Sequence, residues 1–154
     1  MHGLAQQEKS GHYTIAIQPI VNAQLQHIAD ELLYRGDISA YSAAVLDDVQ
    51  ATARACAVAI YEIGLEKLCG QRQLFINASE QWLLNPDLDG LPTNQIVIEV
   101  LEDTQPSEPL IAALRQLKAK GYTLALDDFE LTSANSALLN LADIVKFDIS
   151  VGLP

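Results

Sequence analysis

The chain has 154 residues, 49% of them hydrophobic, which suits one domain with a core of reasonable size. Its 20 acidic and 9 basic side chains give a net charge of −11, which argues against a nucleic-acid duplex as a partner but allows a small phosphorylated ligand whose charge is screened by metal ions. The first 12 residues are polar, and no apolar run approaches the roughly 18 residues of a membrane span. We therefore expect no signal peptide, no membrane contact and a cytoplasmic location.

The first predicted elements form a hairpin. We expect residues 1–12 to be a loose tail, followed by strands over residues 13–21 and 27–35. The short link between these strands predicts antiparallel pairing, and Pro19 favours an edge or a strand end.

A long amphipathic helix is predicted over residues 42–68. Apolar residues recur at the three- and four-residue steps of one helix face, at Val45, Val49, Ala53, Cys56 and Ile60. Gly64 is placed to interrupt this helix and Gly70 to end it. Cys56 and Cys69 are spaced for neither a zinc ribbon nor a redox pair, so we expect a buried, reduced thiol at Cys56.

Strands and helices alternate in the rest of the chain. Strands are predicted over residues 73–77, 95–101, 122–129 and 144–149, and helices over residues 80–84, 109–120 and 133–141. This alternation predicts right-handed crossovers and a parallel sheet.

The number of predicted strands leaves two architectures open. A closed eight-stranded α/β barrel usually takes about 250 residues, whereas this chain holds about six strands by the same pattern. The chain is therefore either a small open sheet or the front part of a barrel, and a last strand with no helix after it favours the second. We expect an α/β fold that is an incomplete TIM-type barrel, in which an N-terminal antiparallel hairpin precedes parallel strand–helix units.

Polar side chains stand in or at the ends of the apolar runs, at Glu31, Asn77, Glu99 and Asp127. Because the carboxyl ends of parallel strands meet at one rim, we expect these groups to share one site. An ionised carboxylate in an apolar run is costly unless it is paired or bound to a metal, and all-oxygen ligand sets suit Mg²⁺, Mn²⁺ or Ca²⁺. Any one of them is also explained as a helix cap or a solvated strand end, and for Asn77 alone that explanation is the better one.

Three further residues suggest phosphate chemistry. The pair Asp127-Asp128 can let one carboxylate bridge two cations, which is the recurring device for hydrolysing phosphodiesters. Lys146, at a strand end, can hold or polarise a water or a phosphate oxygen. Arg35 either clamps a phosphate or forms a surface ion pair.

Six motifs in this order resemble the EAL domain, and they extend from about residue 13 to residue 150. They are Gln18-Pro19-Ile20, Glu31-Leu32-Leu33-Tyr34-Arg35, Phe75-Ile76-Asn77-Ala78-Ser79, Glu99-Val100-Leu101-Glu102, Asp127-Asp128-Phe129 and Lys146-Phe147-Asp148. The resemblance implies a modified α/β barrel and hydrolysis of cyclic di-GMP with two Mg²⁺ or Mn²⁺ ions. The triplet Glu31-Leu32-Leu33 and the segment from Ala142 to Lys146 look closest to the branch in which an EAL-like domain precedes an HDOD domain.

The resemblance also assigns roles to eight residues. It implies that Glu31, Asn77, Glu99 and Asp127 are first-metal ligands, that Asp128 is the second-metal ligand, that Lys146 is the catalytic lysine, and that Gln18 and Arg35 contact the dinucleotide.

Three departures from the family pattern bear on activity. Leu32 replaces a smaller residue, which predicts a bulkier group beside the first metal, and Glu130-Leu131-Thr132 replaces a Gly-rich loop that organises the second metal and dimer contacts. The later glutamate and glutamine of the family lie beyond residue 154. We therefore expect residues 13–154 to form a partial EAL-like signalling module that acts by ligand binding or protein contact and lacks hydrolytic activity in this chain.

Two alternatives remain. In the first, the chain belongs to a metal-dependent cyclic di-GMP phosphodiesterase whose C-terminal catalytic segment is missing from this chain. A receiver domain with an acidic pair and a lysine is a distant third, because in receivers that pair follows the first strand. Unpaired strand edges near Tyr13 and Ile144 further predict self-association.

Overall fold

The computed structural model describes residues 14–35, 56, 58–102, 104–129, 132 and 135–147. The predicted tail and residues 42–55 of the helix predicted over residues 42–68, including Val45, Val49 and Ala53, lie outside this part of the chain.

The described residues contain one six-stranded sheet. Its strands are β1 (Thr14–Val21), β2 (His27–Arg35), β3 (Gln73–Ala78), β4 (Ile96–Val100), β5 (Thr123–Asp127) and β6 (Ile144–Lys146). They lie side by side in chain order, with β1 antiparallel to β2 and every later pair parallel. The predicted hairpin, the parallel units and the position of Pro19 on an edge strand are confirmed. This is an incomplete TIM-like barrel.

Helical segments connect the parallel strands. They are a π-helical segment (Val58–Ile63), α1 (Leu65–Cys69), α2 (Glu80–Leu84), α3 (Glu108–Ala119) and α4 (Ser136–Leu141). Gly64, with φ of 91°, separates the first two segments, and Gly70, with φ of 60°, ends α1, as predicted. Serine side chains cap α2 and α3: the Ser79 and Ser107 hydroxyls accept from the backbone N–H groups of Trp82 and Leu110.

Two boundaries differ from the predictions by three residues, and the other described boundaries by at most two. Helix α4 begins at Ser136 rather than Ser133, because Asn135 is its N-cap and accepts a hydrogen bond from the backbone N–H of Thr132 at 2.8 Å. Strand β6 covers Ile144–Lys146 of the predicted 144–149 range; Phe147 lies outside the strand, and residues 148 and 149 are not among the described residues.

The two faces of the sheet carry two separate apolar clusters. The helix-side cluster is built from residues such as Leu74, Ile76, Ile98, Leu114 and Leu124, all at most 2% exposed, and it includes Cys56, as predicted. The inner-face cluster is much smaller and consists of Ala29, Phe75, Val97 and Ala125, with Ile20 and Ile144 packed against it. Because successive residues of a strand point to opposite faces, this alternation separates the helix-covered core from the concave interior.

A buried ion-pair cluster lies on the helix-covered side. The Asp30 carboxylate, 2% exposed, lies 3.0 Å from Arg72 Nε and 2.6 Å from His27 Nε2. Asp30 precedes Glu31 in β2, so the two carboxylates point to opposite faces of the sheet.

None of the described helices is both long enough and apolar enough to cross a lipid bilayer.

Candidate metal and phosphate site

A polar layer stands directly above the inner-face apolar cluster. Each member of the layer lies two positions along its strand after an apolar residue that belongs to the inner-face cluster or packs against it. The two layers therefore share one face of the sheet. The polar layer consists of Glu31, Asn77, Glu99, Asp127 and Lys146. In the strand register Asn77 is the partner of Glu99 and Asp127 is the partner of Lys146. Glu31 pairs with Phe75 and Glu99 with Ala125, so the layer shifts by two residues between β2 and β3 and again between β4 and β5.

The ammonium group of Lys146 joins three strands of this layer. Lys146 Nζ donates to Glu31 Oε1 at 2.9 Å, lies 2.5 Å from Glu99 Oε1 and lies 3.5 Å from Asp127 Oδ1. The amide of Asn77 donates to the same Glu31 oxygen at 3.1 Å. The five predicted residues therefore meet in one cluster.

These contacts require a strongly curved sheet. Glu31 lies on β2 and Lys146 on β6, so β3, β4 and β5 stand between them. In a flat sheet their backbones would be about 19 Å apart, four times the roughly 4.8 Å strand spacing. The two side chains together cannot span that distance, so the 2.9 Å contact places the polar layer on the concave side of a rolled sheet.

Glu99 is the most deeply buried acid of the layer. Its side chain is fully buried, and Glu99 Oε2 has no hydrogen-bond partner among the described residues. Burial, together with the charges of Glu31 and Asp127, raises the pKa of Glu99 to about 8 against the opposing effect of Lys146. One ammonium group cannot neutralise three carboxylates, so a proton on Glu99 relieves the excess negative charge.

The other two charged groups respond to the same surroundings. Burial, followed by the charges of Asp128 and Glu31 and opposed by Lys146, raises the pKa of Asp127. Burial alone would lower the pKa of Lys146, but its contacts with Glu99 and Glu31 outweigh that effect and raise it. Lys146 is therefore a firmly charged ammonium at neutral pH.

The donor set fits a hard divalent cation. Carboxylate and amide oxygens are the ligands that Mg²⁺ and Mn²⁺ prefer, and the unpartnered Glu99 Oε2 is a buried oxygen that a cation would satisfy. Across the described ranges no group of three or more His, Cys, Asp and Glu side chains is already arranged around an open metal position. The Lys146 ammonium stands among the carboxylates instead.

The remaining predicted residues lie at the margin of the layer. Asp128 follows Asp127 with φ of 43°, a left-handed conformation that Asp tolerates, and its backbone N–H donates to the carbonyl of Lys146 at 2.9 Å. Gln18 is an exposed residue of β1 and pairs in register with Glu31. Arg35 ends β2, and its side chain is outside the described part of the chain.

The expected effect of Leu32 is wrong. Leu32 is 4% exposed and belongs to the helix-side cluster, so it does not stand beside the acids of the polar layer. Its neighbour Glu31 points to the opposite face, because adjacent residues of a strand alternate. Of Glu130, Leu131 and Thr132, which stand where the family has a Gly-rich loop, the structure describes only Thr132.

Comparison with known proteins identifies the kind of domain that carries this layer. No family model matches the chain. The chain is 36% identical over 136 residues to the cyclic di-GMP phosphodiesterase CdgJ of Vibrio cholerae serotype O1, and the alignment covers 88% of this chain and 31% of CdgJ. The chain thus spans about a third of the length of this relative.

Solved structures have the same fold. BlrP1 of Klebsiella pneumoniae in its calcium and cyclic di-GMP complex matches with a TM-score of 0.63 at 27% identity, covering 90% of this chain and 41% of BlrP1. An EAL domain protein of Listeria monocytogenes matches with a TM-score of 0.65 at 22% identity, covering 90% of this chain and 64% of that protein. The chain is an EAL-related domain.

The family resemblance of the six motifs and the relation to cyclic di-GMP phosphodiesterases are thereby confirmed. In this EAL-related domain the polar layer lies on β2 to β6, the strands from which five of those motifs come. BlrP1 has also been solved with manganese and cyclic di-GMP.

The ion-pair cluster of Asp30, Arg72 and His27 was not predicted. Its signal in the sequence was a charged residue at a helix-side position of a strand, next to the apolar Ala29 and one residue before Glu31. The partner Arg72 is 42 residues away in the chain, so the pair becomes visible only when β2 and β3 lie side by side.

Proposed function

We propose that this EAL-related domain binds cyclic di-GMP together with Mg²⁺ or Mn²⁺ at the polar layer, and that it acts in signalling by ligand binding or protein contact rather than by hydrolysis. The observation that carries this proposal is the convergence of Glu31, Glu99 and Asp127 on one point, with Glu99 Oε2 buried and unpartnered among the described residues.

The oxygen ligands for a first cation would be Glu31, Asn77, Glu99 and Asp127, and Asp128 would serve a second. A bound divalent cation supplies positive charge that screens and polarises the phosphates of the dinucleotide. This screening matters here because the chain carries a net charge of −11. An anionic ligand is otherwise repelled by the field of the whole protein.

The residues proposed to contact the dinucleotide are Gln18, Arg35 and Lys146. Gln18 stands on the strand beside Glu31, on the same face of the hairpin, because residues paired in antiparallel register point the same way. Lys146 is partly exposed and carries the positive charge closest to the acids. Its ammonium can donate to a phosphate oxygen once a cation takes over the carboxylates.

A second candidate is metal-dependent hydrolysis of cyclic di-GMP. The likeness to CdgJ, which is named as a cyclic di-GMP phosphodiesterase, favours it. The position of Lys146 within the layer favours it as well, because a charged group there can hold a water or stabilise a developing negative charge. Because the chain spans about a third of the length of CdgJ, hydrolytic activity of the whole protein is itself proposed.

Protein partners are proposed from the motifs and from the sheet edges. The Glu31-Leu32-Leu33 triplet supports an HDOD domain, or another signalling domain, within a longer protein, which the reading frame of the gene would reveal. In the described sheet β1 pairs only with β2 and β6 only with β5, and Phe147 beside β6 is 68% exposed. These edges support self-association. A monodisperse monomer by light scattering at micromolar concentration would contradict it.

Titration with fluorescent cyclic di-GMP in Mn²⁺ and in EDTA, followed by chromatographic analysis of the nucleotide, tests the two candidates. Binding in Mn²⁺ without a linear dinucleotide product supports the signalling module, and product formation supports the phosphodiesterase. No binding in either condition would refute both. Asp127→Asn is expected to lose Mn²⁺-dependent binding, whereas Asp89→Asn, an exposed loop acid, is the matched control that should keep it.

A further inference from the structure

We propose that Lys146 is an internal counter-cation that a divalent metal must displace, so that this lysine opposes metal binding and sets its affinity. This inference rests on the proposed metal site of the polar layer. It concerns what the ammonium does before any ligand arrives.

The geometry shows that the ammonium uses the oxygens that the metal would need. Lys146 Nζ lies 2.9 Å from Glu31 Oε1 and 2.5 Å from Glu99 Oε1, with Asp127 Oδ1 at 3.5 Å. A cation such as Mg²⁺ binds oxygen at about 2.0–2.1 Å. A metal that coordinated the same oxygens would stand in the volume that the ammonium fills, and two positive charges would share one small, largely buried space.

One carboxylate oxygen remains as a point of entry. Glu99 Oε2 is buried and has no partner among the described residues, so a metal can contact it without first breaking an ion pair. Coordination by Glu31 and Asp127 would then draw their oxygens away from the ammonium. The metal and the ammonium therefore compete for the oxygens of Glu31 and Asp127, which complete the site, and not for Glu99 Oε2.

The lysine is able to leave. Its ammonium is carried on a flexible four-carbon stem, and its side chain is 16% exposed, in contrast to the fully buried Glu99. It is also near the end of the last described strand, where only β5 pairs with β6. Movement of the ammonium toward the open side of the layer would free the acids and place a positive charge where an anionic ligand arrives.

Loss of the ammonium should have opposite effects on two measurable properties. Without metal, the ammonium holds together the Glu31 and Asp127 carboxylates, which would otherwise repel each other, and the Glu99 carboxyl group. Its removal should therefore lower the stability of the metal-free protein. With metal, the same removal relieves competition, so affinity should rise. A lysine that only supported the ligands structurally would lower both properties when removed.

The test compares wild type with Lys146→Met, which keeps the apolar stem and removes the charge, and with Lys146→Gln, which keeps a hydrogen-bond donor. The matched control is Lys118→Met, because Lys118 Nζ donates to the carbonyl of Leu141 and to Asp143, outside the polar layer. Mn²⁺ affinity is measured by calorimetry, and the melting temperature is measured in EDTA and in Mn²⁺.

We expect both Lys146 variants to bind Mn²⁺ about tenfold more tightly than wild type. Their melting temperatures should be lower than that of wild type in EDTA and should recover in Mn²⁺. Lys118→Met should keep the wild-type affinity for Mn²⁺. Wild-type binding with unchanged or weaker affinity in both Lys146 variants would overturn this inference alone. No Mn²⁺ binding to any of these proteins would overturn the proposed metal site and this inference with it.

A second test uses only the wild-type protein, so its outcome does not depend on whether a variant folds. Lysine-selective NMR should detect a slowly exchanging ammonium signal from Lys146 in the metal-free protein, and this signal should disappear as Mg²⁺ saturates the site. A Lys146 signal that persists unchanged in the Mg²⁺-bound protein would contradict displacement.

Discussion

Lys146 Nζ lies 2.5 Å from Glu99 Oε1, and the two residues stand on strands that are separated by β5. This contact gives a fully buried carboxylate its nearest positive charge. It does not neutralise the layer, because Glu31 and Asp127 surround the same ammonium. We therefore expect the protonation of Glu99 to affect both the stability of the metal-free protein and its affinity for a cation.

The stability contributed by Glu99 should fall as the pH rises toward 8. Its pKa is raised from an ordinary value of 4.5 to about 8 in the folded chain, so between these values the folded state holds a proton that the unfolded state has lost. Lys146, whose pKa is raised, stays charged throughout this range. Urea unfolding in EDTA at pH 5, 6, 7 and 8 should show Glu99→Gln gaining on wild type by at least about 1 kcal/mol across the range. A constant difference between the two proteins would contradict the raised pKa.

Metal binding should release a proton from Glu99 below pH 8. A carboxylic acid must lose its proton before it coordinates a cation, so Mn²⁺ affinity should increase from pH 6 to pH 8. Calorimetry at pH 7 in two buffers with different ionisation enthalpies measures the number of protons released. The account predicts a release in wild type that is absent in Glu99→Gln, and equal proton counts would count against it.

Arg72→Met should destabilise the protein more than Asp30→Asn. The first substitution leaves the Asp30 carboxylate, 2% exposed, with His27 as its remaining partner, whereas the second leaves an Arg72 side chain that is 42% exposed and stays hydrated. We expect the free energy of unfolding to fall by about 2 kcal/mol in Arg72→Met and by about 1 kcal/mol or less in Asp30→Asn. The first value is smaller than is usual for a broken buried ion pair because Arg72 is partly exposed. Chemical denaturation of both variants provides the comparison. The reverse order would show that the guanidinium does not stabilise the buried acid.

Asp143→Ala should weaken the attachment of α4 and β6 to β5. The Asp143 carboxylate accepts from the backbone N–H of Leu124 at 3.0 Å and from Lys118 Nζ at 3.1 Å, and the hydrogen bond to Leu124 lowers its pKa. Its loss should cost about 1 kcal/mol, because the N–H of a buried residue is left without its acceptor. A lowered pKa makes this stabilisation complete above the ordinary value of 3.8 and weaker as the pH falls below it. Denaturation at pH 7 and at pH 3 should therefore show a smaller effect of the substitution in acid.

Most of the fold was predictable because its signals are local. The apolar runs that end at Asn77, Glu99 and Asp127 are strands, and Gly64 and Gly70 interrupt and end the helical region as expected. The convergence of the acids was also predictable, because parallel strands place their carboxyl ends at one rim.

The arrangement within the layer was not predictable in the same way. The contact between Lys146 and Glu31 depends on how strongly the sheet curves, which no local pattern reports. Leu32 was predicted to lie beside the first metal, but it belongs to the helix-side cluster. The alternation of side chains along a strand already assigns it to the face opposite Glu31. Asp30 was missed because a buried charge is recognised by its partner, and Arg72 lies on a different segment of the chain.

The most direct test of the shared cation cluster is a Mn²⁺ titration of wild type, Glu99→Gln and the exposed control Glu108→Gln, followed by electron paramagnetic resonance of free Mn²⁺. The near-isosteric Glu99→Gln removes one anionic ligand and should weaken Mn²⁺ binding by about tenfold or more, with an unchanged circular dichroism spectrum, while Glu108→Gln should match wild type. Equal Mn²⁺ affinity in all three proteins would contradict the assignment of the polar layer as a metal site.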